Sequence, residues 1–151
     1  MTQWGEFETA EPDLADFGAN LLVVTPAYLS TVRADGVPRV HPVTPIIGGG
    51  RLFVFMEPTS PKGRDLDERA VFAMHNGVPD MQGTGGEFWI SGRARRADDD
   101  ASRDVATAAS RYKPEERYVL FELDVEEARA NGYGDVTLPD RCRWRAGAPP
   151  D

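Results

Sequence analysis

The stretch that decides the fold is residues 28–47, YLSTVRADGVPRVHPVTPII. Its first half alternates apolar and polar residues, which is typical of a half-buried β-strand. Asp35-Gly36 then predicts a tight hairpin turn. The returning strand carries Pro38, Pro42 and Pro45. Because proline has no N–H group to donate, we expect this strand to lie at a sheet edge or to be interrupted. The next strand, Arg51–Met56, follows a glycine turn, and the three strands are predicted to form an antiparallel meander.

The rest of the chain adds short helices and short strands to this start. Predicted helices are Glu11–Leu22, Pro61–Arg69 and Asp98–Tyr112; predicted strands are Val71–His75, Glu87–Arg96, Tyr118–Val125 and Arg141–Arg145, with a loop over residues 76–86. This order predicts a mainly β, α+β fold in which six or seven antiparallel strands form a small barrel with two or three helices.

Length and charge restrict the classes of function. The 151 residues suffice for one domain, and the net charge of −8 disfavours binding to nucleic acid or to an anionic membrane. No apolar stretch is long enough to span a bilayer, and residues 1–6 lack the features of a signal peptide. The single cysteine, Cys142, cannot form an internal disulfide, so we expect a cytoplasmic protein. Two histidines and one cysteine predict no metal site.

A candidate anion site lies where a strand gives way to a helix, in the sequence Thr59-Ser60-Pro61-Lys62-Gly63-Arg64. The amino end of a helix offers free N–H groups to a phosphate. The same pattern also fits a capped helix with solvated basic residues. Lys62 is one of only two lysines, the other being Lys113, in a chain whose remaining basic residues are arginines. This scarcity favours a specific role for Lys62.

The sequence resembles the pyridoxamine 5′-phosphate oxidase-like family of FMN-binding split barrels. Two motifs carry the resemblance: L-S-T-V-R-x-D-G-x-P-R-V-H-P-V, and after it S-P-K-x-R-D-L. The resemblance implies a six-stranded antiparallel split β-barrel over residues 1–151, with residues 1–25 as a helical lead-in. It also implies a homodimer that binds FMN, or the deazaflavin coenzyme F-420, at the subunit interface.

The resemblance implies a set of cofactor-binding residues. Ser60 and Lys62 take the positions that bind phosphate, and His41 stands where the oxidases carry an arginine that contacts phosphate. The expected set is His41, Pro42, Val43, Thr44, Met56, Thr59, Ser60, Lys62, Arg64, Trp89 and Trp144. A core-packing role is the alternative for both tryptophans, and a strand histidine bonded to a backbone carbonyl is the alternative for His41.

The expected activity is that of an FMN- or deazaflavin-dependent oxidoreductase with a small-molecule substrate. The alternative is a protein that binds or sequesters flavin, deazaflavin or haem without turnover. The last predicted strand, Arg141-Cys142-Arg143-Trp144-Arg145, lacks the histidine of the oxidases, which argues against vitamin B6 oxidation. No catalytic acid or base is predicted, since the cofactor carries the chemistry.

Overall fold

The computed structural model describes residues 2–24 and 26–149, and these form four helices and eight strands. The helices are α1 (Trp4–Ala10), α2 (Pro12–Val24), α3 (Pro61–Arg69) and α4 (Asp100–Ala109). The strands are β1 (Ala27–Val32), β2 (Pro38–Val43), β3 (Ile46–Gly48), β4 (Arg51–Met56), β5 (Val71–His75), β6 (Glu87–Arg96), β7 (Val119–Asn131) and β8 (Arg143–Arg145).

One antiparallel sheet contains all the strands, in the order β2-β1-β5-β6-β7-β4-β3, with β8 added to β7. β2 and β3 therefore lie at opposite ends of this order, although only Thr44 and Pro45 separate them in the chain. Since two residues span at most roughly 10 Å between the flanking strands, the two ends of the sheet must come together. The sheet is therefore curled into a split barrel, and the predicted α+β class is confirmed.

The predicted meander is confirmed in its two hairpins but wrong in treating residues 37–47 as one strand. β2 pairs with β1, and β3, which holds Ile46 and Ile47 of the predicted returning strand, pairs with β4; on its other side β4 pairs with β7. The chain crosses from one end of the sheet to the other at Pro45, where a strand residue without an N–H group ends the pairing. The predicted edge position and interruption of this strand are both confirmed. Seven strands along the sheet, plus β8, replace the six that the resemblance implied.

The start of the chain forms two helices rather than the one predicted. Glu11 has φ −138° and ψ 71°, outside the helical region, and Pro12 begins α2. Proline disfavours a helical conformation in the residue before it, so the helix breaks there. Gly18 of α2 lies so close to Phe88 that an added Cβ would be 2.3 Å from the ring, which explains the glycine.

Two apolar clusters surround the curled sheet. The larger cluster fills the inner face and includes Trp4 and Phe7 of α1, Leu29 of β1 and Phe88 of β6. The smaller cluster lies under α4, between Ala106 and the strands β3, β4 and β7. Both faces of β4 and β7 are therefore covered, whereas the outer face of β2, β1 and β5 is open. No helix among the described residues is long and apolar enough to cross a membrane.

Candidate functional site

The amino end of α3 has the geometry of an anion site. Ser60 occupies the N-cap position, but its hydroxyl makes no capping bond to the helix and instead accepts a hydrogen bond of 2.9 Å from Lys62 Nζ. The first helical bond joins Arg64 N to Ser60 O. The amide groups of Lys62 and Gly63 therefore have no intrahelical partner and face outward from the helix end.

Lys62 lacks a counter-ion. Its ammonium group is half-buried, and over residues 2–24 and 26–149 no carboxylate lies within ion-pair distance of it. Most of the arginines, by contrast, pair with Asp or Glu. Burial lowers the pKa of Lys62. A positive charge that is partly removed from water and held only by a neutral hydroxyl is destabilising unless an anion binds beside it.

His41 of β2 lies near the same group, because Arg39, two residues before it on the same face of β2, bonds to Asp65 of α3. His41 pairs with Leu29, so both side chains point to the inner face of the sheet. Its Nε2 atom is buried and has no hydrogen-bond partner among the described residues. Burial lowers the pKa of His41, and the charges of Lys62 and then Arg39 lower it further, against an opposing effect of Asp65. The structure therefore brings His41 and Lys62 together. The structure gives no carbonyl bond to Nε2, the bond that the alternative role for His41 would place there.

Asp65 is a residue of this region that the sequence did not reveal. It is 4% exposed, and its Oδ2 atom accepts hydrogen bonds of 2.8 Å from Thr31 Oγ1 and from Arg39 Nε. Arg69 lies 3.4 Å from the other oxygen. Burial raises the pKa of Asp65, but the bonds from Arg39 and Thr31 outweigh burial and leave it below its usual value. Asp65 thus fixes α3 on β1 and β2, and its charge is already neutralised.

The remaining residues of the predicted junction lie around this centre in different environments. Thr59 and Arg64 are exposed at its rim. Met56 is buried beneath α3, where an added Cβ on Gly63 would be 3.0 Å from its sulfur. Met56 therefore supports the helix from below, and the close approach explains the glycine at position 63.

The end of β2 leads into an apolar cavity. Pro42 is exposed, Val43 is 8% exposed, and Thr44 lines a cavity of about 370 Å³. The other walls come from the end of α2, from Pro45, Ile46 and Ile47, and from Arg111. A slot of this size with mainly apolar walls is suited to part of an organic ligand.

Trp144 lies far from the α3 site within one chain. A single row of facing residues crosses the inner face of the sheet from His41 through Leu29, Met74, Ile90 and Ala128 to Trp144. Five strand spacings of roughly 4.8 Å separate the ends of this row. Trp144 packs on Phe7, with ring centroids 5.1 Å apart, and the core lies between it and His41.

Trp89 lies on the opposite face of the sheet from His41. Its ring is parallel to that of His75, with centroids 6.4 Å apart. Two central rows of side chains cross this outer face on β2, β1, β5 and β6, and neither row contains an acidic residue or an arginine. One row is Pro42, Tyr28, His75 and Trp89; the other is Val40, Ser30, Ala73 and Ser91. Two adjacent uncharged rows are unusual in a chain of which 28% is charged, and the charged residues of β6 on this face, Glu87 and Arg93, flank them.

An arginine-lined concavity of about 790 Å³ continues this outer surface at β7 and β8. Its basic residues are Arg129, Arg141, Arg143 and Arg145, against the two carboxylates Glu11 and Glu127. Trp144 forms part of the wall. The alternating arginines at 141, 143 and 145 were a visible signal for this cluster, but Arg129 joins it only through the pairing of β7 with β8.

Comparisons with known proteins agree with this architecture. The family model for pyridoxamine 5′-phosphate oxidase matches residues 21–132. No curated protein sequence matches the chain.

Among solved structures, a haem-binding protein from Mycobacterium smegmatis is similar with a TM-score of 0.64 and 22% identity, over 85% of this chain but only 59% of that protein. HutZ, the haem storage protein of Vibrio cholerae, has a TM-score of 0.64 and 18% identity over 82% of this chain and 96% of its own. A nimC/nimA family protein from Clostridium acetobutylicum has a TM-score of 0.65 and 15% identity over 82% of this chain and 87% of its own. At these identities the likeness establishes the shared fold.

Proposed function

Since this chain belongs to the pyridoxamine 5′-phosphate oxidase family, we propose that it is a flavin-type oxidoreductase whose cofactor phosphate binds at the amino end of α3. The observation that carries this proposal is Lys62, a half-buried ammonium group whose one partner among the described residues is the hydroxyl of Ser60. A phosphate supplies the missing negative charge, and charge-assisted hydrogen bonds of this kind are the strong ones in proteins.

The residues present fit the phosphate of FMN. Lys62 and Ser60 would hold it, the amides of Lys62 and Gly63 would donate to it, and Nε2 of His41 would gain a partner. Thr59 and Arg64 stand at the rim for further contacts. When bound, the flavin supplies hydride or electron transfer, while the protein binds and orients it. The deazaflavin coenzyme F-420 also carries a phosphate and is the alternative cofactor.

The ring of the cofactor is proposed to lie along β2, from His41 toward Thr44. β2 is an edge strand, so one of its sides carries backbone groups that no neighbouring strand pairs. Pro42 exposes its ring there, and the apolar cavity beside Thr44 lies at the end of the strand. These features supply an apolar surface and main-chain groups, the two things that an isoalloxazine ring requires.

A homodimer is proposed to complete the site. Trp89 and Trp144 are expected to line the cofactor, yet within one chain Trp89 lies on the other face of the sheet and Trp144 lies across the core from His41. A second copy that packs on the outer face of β2, β1, β5 and β6 would place Trp89 beside its partner's α3. Interfaces between identical subunits are depleted in charge at their centre, as this face is.

Flavin binding tests the proposal, and the two lysines provide a matched pair. FMN is titrated into the purified protein, and the quenching of flavin fluorescence is measured. Lys62→Ala is expected to weaken binding by roughly 1–3 kcal/mol, whereas Lys113→Ala, which removes an exposed lysine, leaves it unchanged. The visible spectrum of the native protein separates FMN from deazaflavin. Equal affinity in the two variants contradicts the assignment of Lys62.

Haem binding is the second candidate function, and the geometry of His75 favours it. Nδ1 of His75 is 2.6 Å from the carbonyl oxygen of Asn76. Because a carbonyl only accepts, Nδ1 carries the proton, and the lone pair is on Nε2, the arrangement in which histidine binds iron. The side chain is 39% exposed on the outer face, where the carboxylate of Glu87 lies 3.7 Å from Nε2.

Titration with haemin tests this second candidate. If His75 binds the iron, His75→Ala abolishes the shifted Soret band, and His41→Ala preserves it. A Soret band that does not shift on addition of the protein, or a spectrum that is the same in His75→Ala, contradicts haem binding through this residue.

A further inference from the structure

We propose that His41 takes up a proton when an oxyanion binds beside Lys62, so that the affinity of this site for its anionic ligand increases as the pH falls. This inference rests on the proposed phosphate site and adds its regulation. The buried, unpartnered Nε2 atom of His41 and the uncompensated charge of Lys62 are the two observations from which it starts.

The neutral ring of His41 leaves a polar atom buried without a hydrogen bond. Such an atom costs free energy in any fold, and the natural explanations are a missing ligand or water. The pairing of His41 with Leu29 places the side chain on the inner face of the sheet, where its Nε2 atom is buried. A ligand oxygen at the α3 end would provide the partner.

The charges that face His41 come from two elements. α3 contributes Lys62 and Asp65, and β2 contributes Arg39; the neighbouring residues of β1, Leu29 and Thr31, are uncharged. Asp65 is already paired with Arg39 and Arg69. What remains next to the ring is the positive charge of Lys62, which opposes a second positive charge.

A bound anion reverses this balance. It neutralises Lys62 and accepts a hydrogen bond from a protonated Nε2, so binding raises the pKa of His41 from a lowered starting value. The direction of the pH dependence follows from this rise in the pKa of His41. Above the pKa values of both states the ring stays neutral and binding takes up no proton; between them one proton is bound with the anion. The affinity at low pH then exceeds that at high pH by about tenfold for each unit by which binding raises the pKa.

Sulfate is the probe of choice, because it remains a dianion over the whole range in which histidine titrates. Its binding is measured by isothermal titration calorimetry at pH 5.5, 6.5 and 8.0, in two buffers with different enthalpies of ionisation. The difference between buffers counts the protons taken up. We expect an affinity about tenfold higher at pH 5.5 than at pH 8.0, and a fractional proton uptake near pH 6.5.

The two histidines of the chain provide the control. His41→Gln keeps a polar side chain but cannot titrate, and it is expected to bind sulfate with no proton uptake and little pH dependence. His75→Gln is expected to behave as the native protein. Sulfate binding without proton uptake in the native protein, or equal uptake in His41→Gln, overturns the role of His41 but leaves the phosphate site intact. Absence of sulfate and FMN binding at every pH overturns both.

Discussion

Two charged regions of this molecule differ in how completely their polar groups are paired. Under the start of α4, Glu122 and Asp124 of β7 are fully buried, yet Arg95 donates to both at 2.7 and 3.1 Å. Arg51 and Gln3 complete the partners of Glu122. At the start of α3, by contrast, no carboxylate among the described residues pairs with Lys62, which bonds only to the neutral hydroxyl of Ser60, and Nε2 of His41 has no hydrogen-bond partner there.

This difference in pairing distinguishes a network that stabilises the fold from a site that can bind a ligand. The Glu122–Asp124 network is closed: every charge in it has a protein partner, and its loss would cost stability. The α3 site is open: its charge is in excess, and a ligand from outside the chain completes it. Asp65 shows that α3 itself contains both kinds of site, because its carboxylate is fully paired one turn from Lys62.

The largest expected effect is in the closed network. Arg95→Met leaves Glu122 and Asp124 buried with fewer partners, which typically costs about 3 kcal/mol of unfolding free energy. Urea denaturation monitored by circular dichroism measures the loss. Arg117→Met, which removes an exposed pair with Glu57, is the control and is expected to change little. If the two variants are equally stable, the Glu122–Asp124 network does not stabilise the fold.

Asp65→Asn is expected to have the next largest effect. It weakens the bonds from Thr31 and Arg39 and removes the charge between two arginines, for a cost of about 2 kcal/mol. The pKa of Asp65 is lowered in the folded protein, so its contribution is present above the unfolded pKa and is lost as the pH falls through the folded value. The stability gap between native protein and variant should therefore narrow on acidification. A gap that widens contradicts the pairing.

The smallest expected effect on stability has the opposite sign. Lys62→Met removes an unpaired, half-buried charge and keeps the apolar stem, so the ligand-free protein should gain up to about 1 kcal/mol. Since burial lowers the pKa of Lys62 in the folded state, the penalty is present at neutral pH and disappears as the pH rises through the folded to the unfolded value. Thermal unfolding without ligand measures the gain. A clear loss of stability would place Lys62 among the structural residues.

Local signals predicted much of the fold. The Asp35-Gly36 turn, the helix after Ser60 and Pro61, and the strands β5 and β6 follow from patterns within ten residues. The meander was incomplete because the second partner of a strand is a long-range choice. The glycine turn predicts the pairing of β3 with β4, but nothing within Arg51–Met56 indicates that β7, more than sixty residues later, is the other neighbour of β4. The break at Glu11 depended on a single proline, which also fits the first turn of a helix.

The candidate site was also predictable only where its residues lie close together in the sequence. Ser60 and Lys62 are separated only by Pro61 in the chain, and the scarcity of lysine made Lys62 conspicuous. The role of Asp65 depends on Thr31 and Arg39, which are 34 and 26 residues away, and no local pattern reveals such a pairing. The orphaned Nε2 atom of His41 is likewise a property of packing rather than of sequence.

A comparison of FMN with riboflavin tests the central claim most directly, because the two ligands share the ring and differ only in the phosphate. Fluorescence titration of the native protein is predicted to give at least roughly tenfold tighter binding of FMN, which corresponds to about 1.4 kcal/mol. In Lys62→Met this advantage should largely disappear, while riboflavin binds as before. Equal affinity of the native protein for the two flavins would contradict a phosphate site at the amino end of α3.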